Sequence, residues 1–98
     1  MSKPIYKQFV SKKLDAWYQL SEEEQKRLIA KLDEAFEKVG GKKLILIDSS
    51  WSSDQWSVSG VEEFPNIEAV QDYMAALNKL NWFRYNDSKH VFGTKLGE

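Results

Sequence analysis

Four consecutive large aliphatic residues at positions 44–47 (Leu-Ile-Leu-Ile) constrain the fold of this chain more than any other feature. Half of them are β-branched, Gly40 and Gly41 precede them, and a polar segment follows, so the pattern predicts a strand over Lys42–Asp48 rather than a helix. Side chains alternate across a strand, so the two leucines are expected on one face and the two isoleucines on the other. Both faces of this strand therefore need cover.

The rest of the chain alternates between strand and helix patterns. Ser21 and Glu24 have capping-box spacing ahead of an apolar stripe, which predicts a helix that ends at Gly40 or Gly41. Asn66 follows Pro65 and is expected to cap a second helix. The remaining segments are predicted as strands over 5–11, 56–64 and 88–96, a helix over 66–81, and a short helical turn within 12–20.

Two single residues carry local expectations. Trp51 lies in a serine-rich connection, where we expect it to fold back onto the sheet edge or onto a partner chain, with an aromatic lid as the alternative. Gly60 lies inside the third predicted strand, which indicates either a bulge or a close approach.

The order strand, helix, strand, strand, helix, strand is the ferredoxin-like βαββαβ pattern. It predicts an α+β fold with one antiparallel sheet, both helices on one face, and the strand over Lys42–Asp48 at an edge. The other sheet face is then bare, although at least two strands are apolar on both sides. A large exposed apolar patch is unusual on a soluble monomer, so we expect a homodimer through the face that the helices do not cover.

Composition restricts the classes of function. Residues 1–98 are expected to form a single domain, and the 14 basic and 15 acidic residues give a net charge of −1, which does not favour nucleic acid as a partner. There is no cysteine, no metal-ligand spacing and no phosphate-binding glycine loop, so no metal and no cofactor is predicted. The sequence shows neither a signal peptide nor a membrane span, which leads us to expect a cytoplasmic protein without membrane contact.

Two segments resemble a known superfamily. Residues 16–24 (AWYQLSEEE) and 61–70 (VEEFPNIEAV) are similar to the start of the first helix and to the strand-to-helix step of small dimeric α/β-barrel proteins. Together with residues 82–85 (WFRY), these segments are distributed over most of the chain, between positions 16 and 85. The resemblance implies two ferredoxin-like sheets packed face to face. The superfamily includes cofactor-independent monooxygenases, haem-degrading enzymes and isomerases, so it implies no one activity.

His90 is the single histidine and the candidate catalytic residue, because it alone titrates near neutral pH without perturbation. Aromatic residues are candidates for lining a pocket with a few polar groups, which is the kind of site that a small apolar or aromatic ligand prefers. These ligand-binding candidates are Tyr6, Trp56, Trp82, Arg84, Tyr85 and Phe92, and Asp48 is a further polar candidate. The same residues are also expected in an ordinary core or interface.

Three functions remain open from the sequence. The first is a dimeric α/β-barrel protein that binds a small apolar or aromatic ligand. The second is a cofactor-independent monooxygenase or isomerase, in which His90 deprotonates an electron-rich aromatic substrate. The third is an interaction module whose apolar sheet face pairs with a different protein.

Overall fold

The computed structural model describes residues 3–97 as a four-stranded antiparallel sheet with helices packed against one face. The elements are β1 (Ile5–Lys13), α1 (Asp15–Tyr18), α2 (Glu22–Lys38), β2 (Lys42–Asp48), β3 (Val58–Phe64), α3 (Ile67–Lys79), a 3₁₀ turn (Trp82–Arg84) and β4 (Asn86–Gly93). The strand order is β2-β3-β1-β4, and every neighbouring pair is antiparallel. This confirms the α+β, ferredoxin-like arrangement and places β2 at an edge.

The helix ends follow the local chemistry of the sequence. The Ser21 hydroxyl accepts a hydrogen bond from the Glu24 backbone N–H, and the Glu24 carboxylate accepts one from the Ser21 backbone N–H. Gly40 ends α2 with φ of +80°, a left-handed conformation that glycine adopts without strain. The Asn66 side chain accepts a hydrogen bond from the Ala69 N–H and begins α3. All three boundaries agree with the sequence prediction.

The core lies between the helices and the central strands. Phe64 of β3 is completely buried, and its ring centroid lies 5.5 Å from that of Phe36 and 5.6 Å from that of Tyr73. At the other end of the helical layer, the buried rings of Trp17 and Trp82 meet edge to face at 5.9 Å. The short helix α1 therefore acts as a cap over one end of the core.

The apolar strand β2 lacks the expected cover from the helices. It pairs with β3 alone, and its four aliphatic side chains are each 45–54% exposed. A bulge between Lys43 and Ile45 also interrupts the strict alternation that the sequence pattern predicts. Register with β3 places Leu46 opposite Gly60 on the helix side, and Ile47 opposite Ser59 on the open side. The helices pack over the middle of the sheet, so this edge extends past them.

Several strand limits differ from the sequence prediction, each for a local reason. β3 begins at Val58 instead of Trp56, because the Trp56 N–H donates to the Ser53 hydroxyl inside the loop. β1 continues to Lys13 and β4 begins at Asn86, because these two residues pair. β4 ends at Gly93, which pairs with Tyr6 near the start of β1.

Trp51 is 83% exposed, so it does not fold back onto its own sheet edge. It lies in the loop between β2 and β3, whose backbone is held by serine and aspartate side chains: the Asp48 carboxylate accepts hydrogen bonds from the N–H and the hydroxyl of Ser50. The loop therefore has its own hydrogen bonds and leaves the indole exposed.

The sheet face opposite the helices is open and carries a mainly apolar hollow. Val10, Val61 and Ile47 line a shallow hollow of about 840 Å³ on this face together with Val91, which is 69% exposed. We call this surface the open face. It is the bare face that the element order predicts.

Candidate functional site

Alternate residues of β1 and β4 project polar groups toward the helices. The register pairs Phe9 with His90, Ser11 with Ser88, and Lys13 with Asn86. Side chains two residues apart on a strand share a face, so these three rows follow one another along the helix side of the sheet.

A cavity of about 290 Å³ lies between these rows and the helices. Its sheet side is lined by Lys7, Phe9, Ser11, Lys13, Lys43, Leu46, Glu62, Asn86, Ser88 and His90. Its helical side is lined by Ile29, Leu32, Asp33, Phe36, Tyr73, Met74, Leu77, Trp82 and Phe83. The cavity is mainly apolar on the helical side, and most of its polar groups lie on the sheet side.

A buried ion pair crosses the floor of this cavity. Lys7 and Glu62 are directly opposite in the register of β1 and β3, and the Lys7 Nζ lies 3.5 Å from a Glu62 carboxylate oxygen. Both side chains are about nine-tenths buried. The Lys7 Nζ also lies 5.3 Å from the centroid of the Phe9 ring and 5.8 Å from that of Tyr73. The ammonium is therefore held by one carboxylate and two aromatic faces.

A second ion pair joins Lys43 to Asp33, with 3.1 Å between nitrogen and oxygen. Each of these side chains is roughly half exposed, so water screens the pair. Lys43 also lies 5.9 Å from the centroid of the Phe36 ring. These contacts link β2 to the helical layer at the rim of the cavity.

Lys13 differs from the other two lysines of the cavity. Its Nζ lies 5.4 Å from the Trp17 ring centroid and 5.2 Å from that of Trp82, and it donates a 3.4 Å hydrogen bond to the Asn86 side-chain oxygen. No carboxylate among residues 3–97 forms an ion pair with it. Burial lowers the pKa of the Lys13 ammonium below its usual value. Its charge is thus partly desolvated without an anionic partner.

His90 packs against the aromatic ring of Phe92. The centroid of its ring lies 4.9 Å from that of Phe92, and the buried Nδ1 atom has no hydrogen-bond partner among the described residues. Burial, and secondly the positive charge of Lys7, lower the pKa of His90 below its ordinary value of 6.5. The imidazole is therefore mostly neutral at neutral pH, and a neutral imidazole can accept a proton.

Tyr73 adds a phenol to the cavity wall. Burial, followed by the negative charges of Glu62 and Asp33, raises the pKa of this phenol. Tyr73 consequently remains protonated at physiological pH. Its hydroxyl can donate a hydrogen bond, but it is unsuited to act as a base.

The residues predicted from the sequence lie in several places. Trp82 and His90 both line the cavity. Tyr6 and Phe92 line a separate hollow of about 440 Å³ near the end of the sheet. The other three do not line the cavity: Trp56 is half-buried beneath the Lys12 ammonium, Arg84 is exposed, and Tyr85 packs against the core. Asp48 is exposed and bonded to Ser50.

Lys7, Lys13, Glu62 and Tyr73 were not among the sequence candidates. On β1, Lys7 lies two residues from Ile5 and from Phe9 and therefore shares their face. On β3, Glu62 lies two residues from Phe64 and shares its face. Charged residues of opposite sign at these inward positions were a signal for a buried pair. Tyr73 lies within the apolar stripe of α3, where nothing in the pattern separates a cavity wall from an ordinary core residue.

Two further classes of feature are absent from the described part of the chain. Residues 3–97 contain no group of three or more histidine, aspartate or glutamate side chains that could hold a metal ion. None of the helices in the same range has the length and apolar character required to cross a bilayer.

The fold is shared with several solved structures. A mutant chlorite dismutase from Candidatus Nitrospira defluvii superposes with a TM-score of 0.75 at 13% identity, over 100% of this chain and 42% of that protein. A protein of unknown function from Rhodopseudomonas palustris gives a TM-score of 0.67 at 14% identity, over 100% and 86% of the two chains. A dimeric protein of unknown function from Bacteroides fragilis, with a ferredoxin-like fold, gives a TM-score of 0.50 at 16% identity, over 94% and 96%.

The present chain spans less than half the length of the chlorite dismutase. No protein-family model matches this sequence, and no curated protein matches it. At these levels of identity the structural matches concern the fold alone. They confirm that the chain has the ferredoxin-like fold expected from its resemblance to the dimeric α/β-barrel superfamily.

Proposed function

We propose that this protein binds a small aromatic or apolar ligand in the cavity between the sheet and the helices. The observation that carries the proposal is a cavity of about 290 Å³ with a mainly apolar and aromatic wall on its helical side and convergent polar groups on its sheet side. Sites for small molecules typically have this composition, and their volumes begin near this value. A dry cavity of about 150 Å³ can hold benzene, so this one is large enough for one substituted ring or two fused rings.

The polar groups of the cavity support binding rather than mere packing. The buried Nδ1 of His90 lacks a hydrogen-bond partner among the described residues, and buried polar atoms normally have one. A ligand hydroxyl or a bound water would supply it. Ser11 and Ser88 add two hydroxyl groups in the adjacent row of the sheet.

A screen of single-ring and two-ring compounds by nuclear magnetic resonance tests this proposal. We expect some compounds to shift the Trp82 indole N–H signal with dissociation constants of about 1 mM or lower, as for fragments of roughly ten heavy atoms. Ser88→Phe adds a ring to the cavity floor and should abolish these shifts. Thr94→Phe adds the same ring at an exposed position beyond β4 and should preserve them. Failure of every compound to shift the Trp82 signal would contradict the proposal.

A second candidate function is catalysis on such a ligand, supported by the state of His90. A neutral imidazole beside the Lys7 ammonium is suited to take a proton from a phenol or enol, because the nearby positive charge stabilises the anion that forms. This chemistry fits an isomerase or a cofactor-independent monooxygenase. For any compound that the protein converts, His90→Ala should abolish turnover while binding persists. Retained turnover would exclude His90 from the mechanism.

We further propose that the protein is a homodimer formed through the open face. Support comes from the exposed Val91 and the partly exposed Val10 and Val61 of this face, and from the half-exposed aliphatic side chains of β2. Burial of apolar surface is the main driving force for association, and an isologous dimer would bring two copies of the same face together. A different protein as partner, the third function left open by the sequence, would use the same surface.

A further inference from the structure

We propose that the ligand of the cavity is a small aromatic carboxylate, and that the Lys13 ammonium holds its carboxylate group. This inference rests on the ligand-binding function proposed above and adds the chemical class of the ligand. The charges around the cavity are not balanced.

Three lysines line the cavity, and two of them have anionic partners. Lys7 pairs with Glu62, and Lys43 pairs with Asp33. Lys13 has the Asn86 side-chain oxygen and two indole faces, but no carboxylate among residues 3–97. Removing a charge from water is costly unless an opposite charge compensates it, so the Lys13 site favours an anion. One uncompensated positive charge matches a monoanion.

The surroundings of Lys13 indicate how a carboxylate would be held. Asn86 is buried opposite Lys13 in the register, and its side-chain nitrogen can donate to an anion while its oxygen accepts from Lys13. Ser11 and Ser88 form the next row, about 7 Å along the strands for a rise of roughly 3.4 Å per residue. Four side chains that can donate hydrogen bonds thus lie in two adjacent rows at one end of the cavity: Lys13, Asn86, Ser11 and Ser88.

The remainder of the cavity favours a ring as the rest of the ligand. Beyond the serine row, Phe9 lies on the sheet side and Tyr73 lies on the helical side, while Trp82 lies at the Lys13 end. A flat apolar group fits such walls, and aromatic faces and edges pack favourably against each other. A small inorganic anion would neutralise Lys13 but would leave this apolar volume unfilled. A neutral ring would fill the volume but leave the ammonium without a counter-charge.

The test compares 1-naphthoate with 1-naphthamide, which have nearly the same shape and differ in charge. Titration calorimetry gives both dissociation constants, and the Trp82 indole N–H signal reports whether each compound enters the cavity. We expect naphthoate to bind about tenfold tighter or more, because a charged donor forms a stronger hydrogen bond with a carboxylate than with a neutral amide. Raising the salt concentration should weaken the binding of naphthoate and leave the affinity for naphthamide unchanged.

Lys13→Met keeps the length of the side chain and removes the charge. This variant should weaken the binding of naphthoate about tenfold and change the dissociation constant of naphthamide less than about twofold. Lys13→Arg should restore most of the naphthoate affinity. Lys12→Met is the matched control, because Lys12 is the adjacent residue and also lies over an indole ring, that of Trp56 at 5.6 Å, but it does not line the cavity.

The possible outcomes separate this inference from the function on which it rests. Equal binding of the two compounds in the cavity, unaffected by Lys13→Met, would overturn the carboxylate assignment and leave the ligand-binding function intact. Preference for naphthoate that disappears equally in Lys12→Met would also overturn it, because the preference would then reflect general surface charge. Absence of binding by either compound, together with a negative fragment screen, would overturn both.

Discussion

At the scale of single residues, the main buried polar contact is the ion pair between Lys7 and Glu62. It lies on the face of the sheet that the helices cover. Both side chains are about nine-tenths buried, and only 3.5 Å separates their charged atoms. A buried pair of this kind contributes little net stability compared with apolar residues of the same size. Removal of one partner is far more costly, because the remaining charge stays buried without compensation.

We therefore expect Glu62→Gln to lower the free energy of unfolding by about 3 kcal/mol, as measured by urea denaturation. The double variant Lys7→Met/Glu62→Met should recover much of this loss. Asp33→Asn is the control, because it breaks the half-exposed pair with Lys43 and should cost less than about 1 kcal/mol. A loss as small for Glu62→Gln as for Asp33→Asn would show that water reaches the buried pair.

At the scale of whole elements, the sequence predicted best where a few neighbouring residues determine the structure. The capping box of Ser21 and Glu24 and the left-handed Gly40 involve contacts within five residues in the chain, and both were foreseen. The strand β2 was also predicted with its observed limits. Such features depend on local hydrogen bonding and backbone conformation, which the sequence carries directly.

The candidate site was predicted less completely, because it depends on strand register. His90 and Trp82 were identified as candidates, but their neighbour Lys13 was not. Its proximity to Asn86 joins residues 73 positions apart, and it follows from the pairing of β1 with β4. The bulge in β2 similarly depends on its pairing with β3. Long-range pairings of this kind leave no periodic signal within one segment.

Gly60 shows how an element can depend on the absence of a side chain. The sequence indicated a bulge or a close approach at this position, and the structure has the close approach, with the bulge in the neighbouring strand β2. A Cβ atom added at Gly60 would lie 2.5 Å from the carbonyl oxygen of Ile45, so β2 would have to move away from β3.

We expect Gly60→Ala to lower stability by about 1–3 kcal/mol, the usual cost of overpacking, and to increase amide hydrogen exchange in β2. Gly93→Ala provides a matched control in β4, because nothing lies within 4 Å of its added Cβ atom. That variant should be within about 0.5 kcal/mol of wild type. If amide hydrogen exchange in β2 is unchanged in Gly60→Ala, the added methyl group is accommodated by a shift of β3 instead of β2.

At the scale of the whole molecule, the helices of the chain cover one face of its sheet. The helices cover the centre of one face, while the open face and β2 leave valine, leucine and isoleucine side chains exposed. An apolar area of this kind is typical of an interface rather than of a free surface. Val91 lies on the open face and is 69% exposed, which makes it a sensitive position for a test of association.

Sedimentation velocity and native mass spectrometry at micromolar concentration should show a dimer for the wild-type protein. Val91→Glu places a carboxylate in the open face and should shift the protein to monomers, since an unpaired charge is costly to bury at an interface. Ile67→Glu is the control: Ile67 is a similarly exposed aliphatic residue, 49% exposed at the start of α3, in the helical layer on the other side of the sheet. It should remain dimeric.

A wild-type monomer would refute self-association and favour a different protein as the partner of the open face. A Val91→Glu dimer would place the interface elsewhere, and the free edge of β2 would then be the next surface to test.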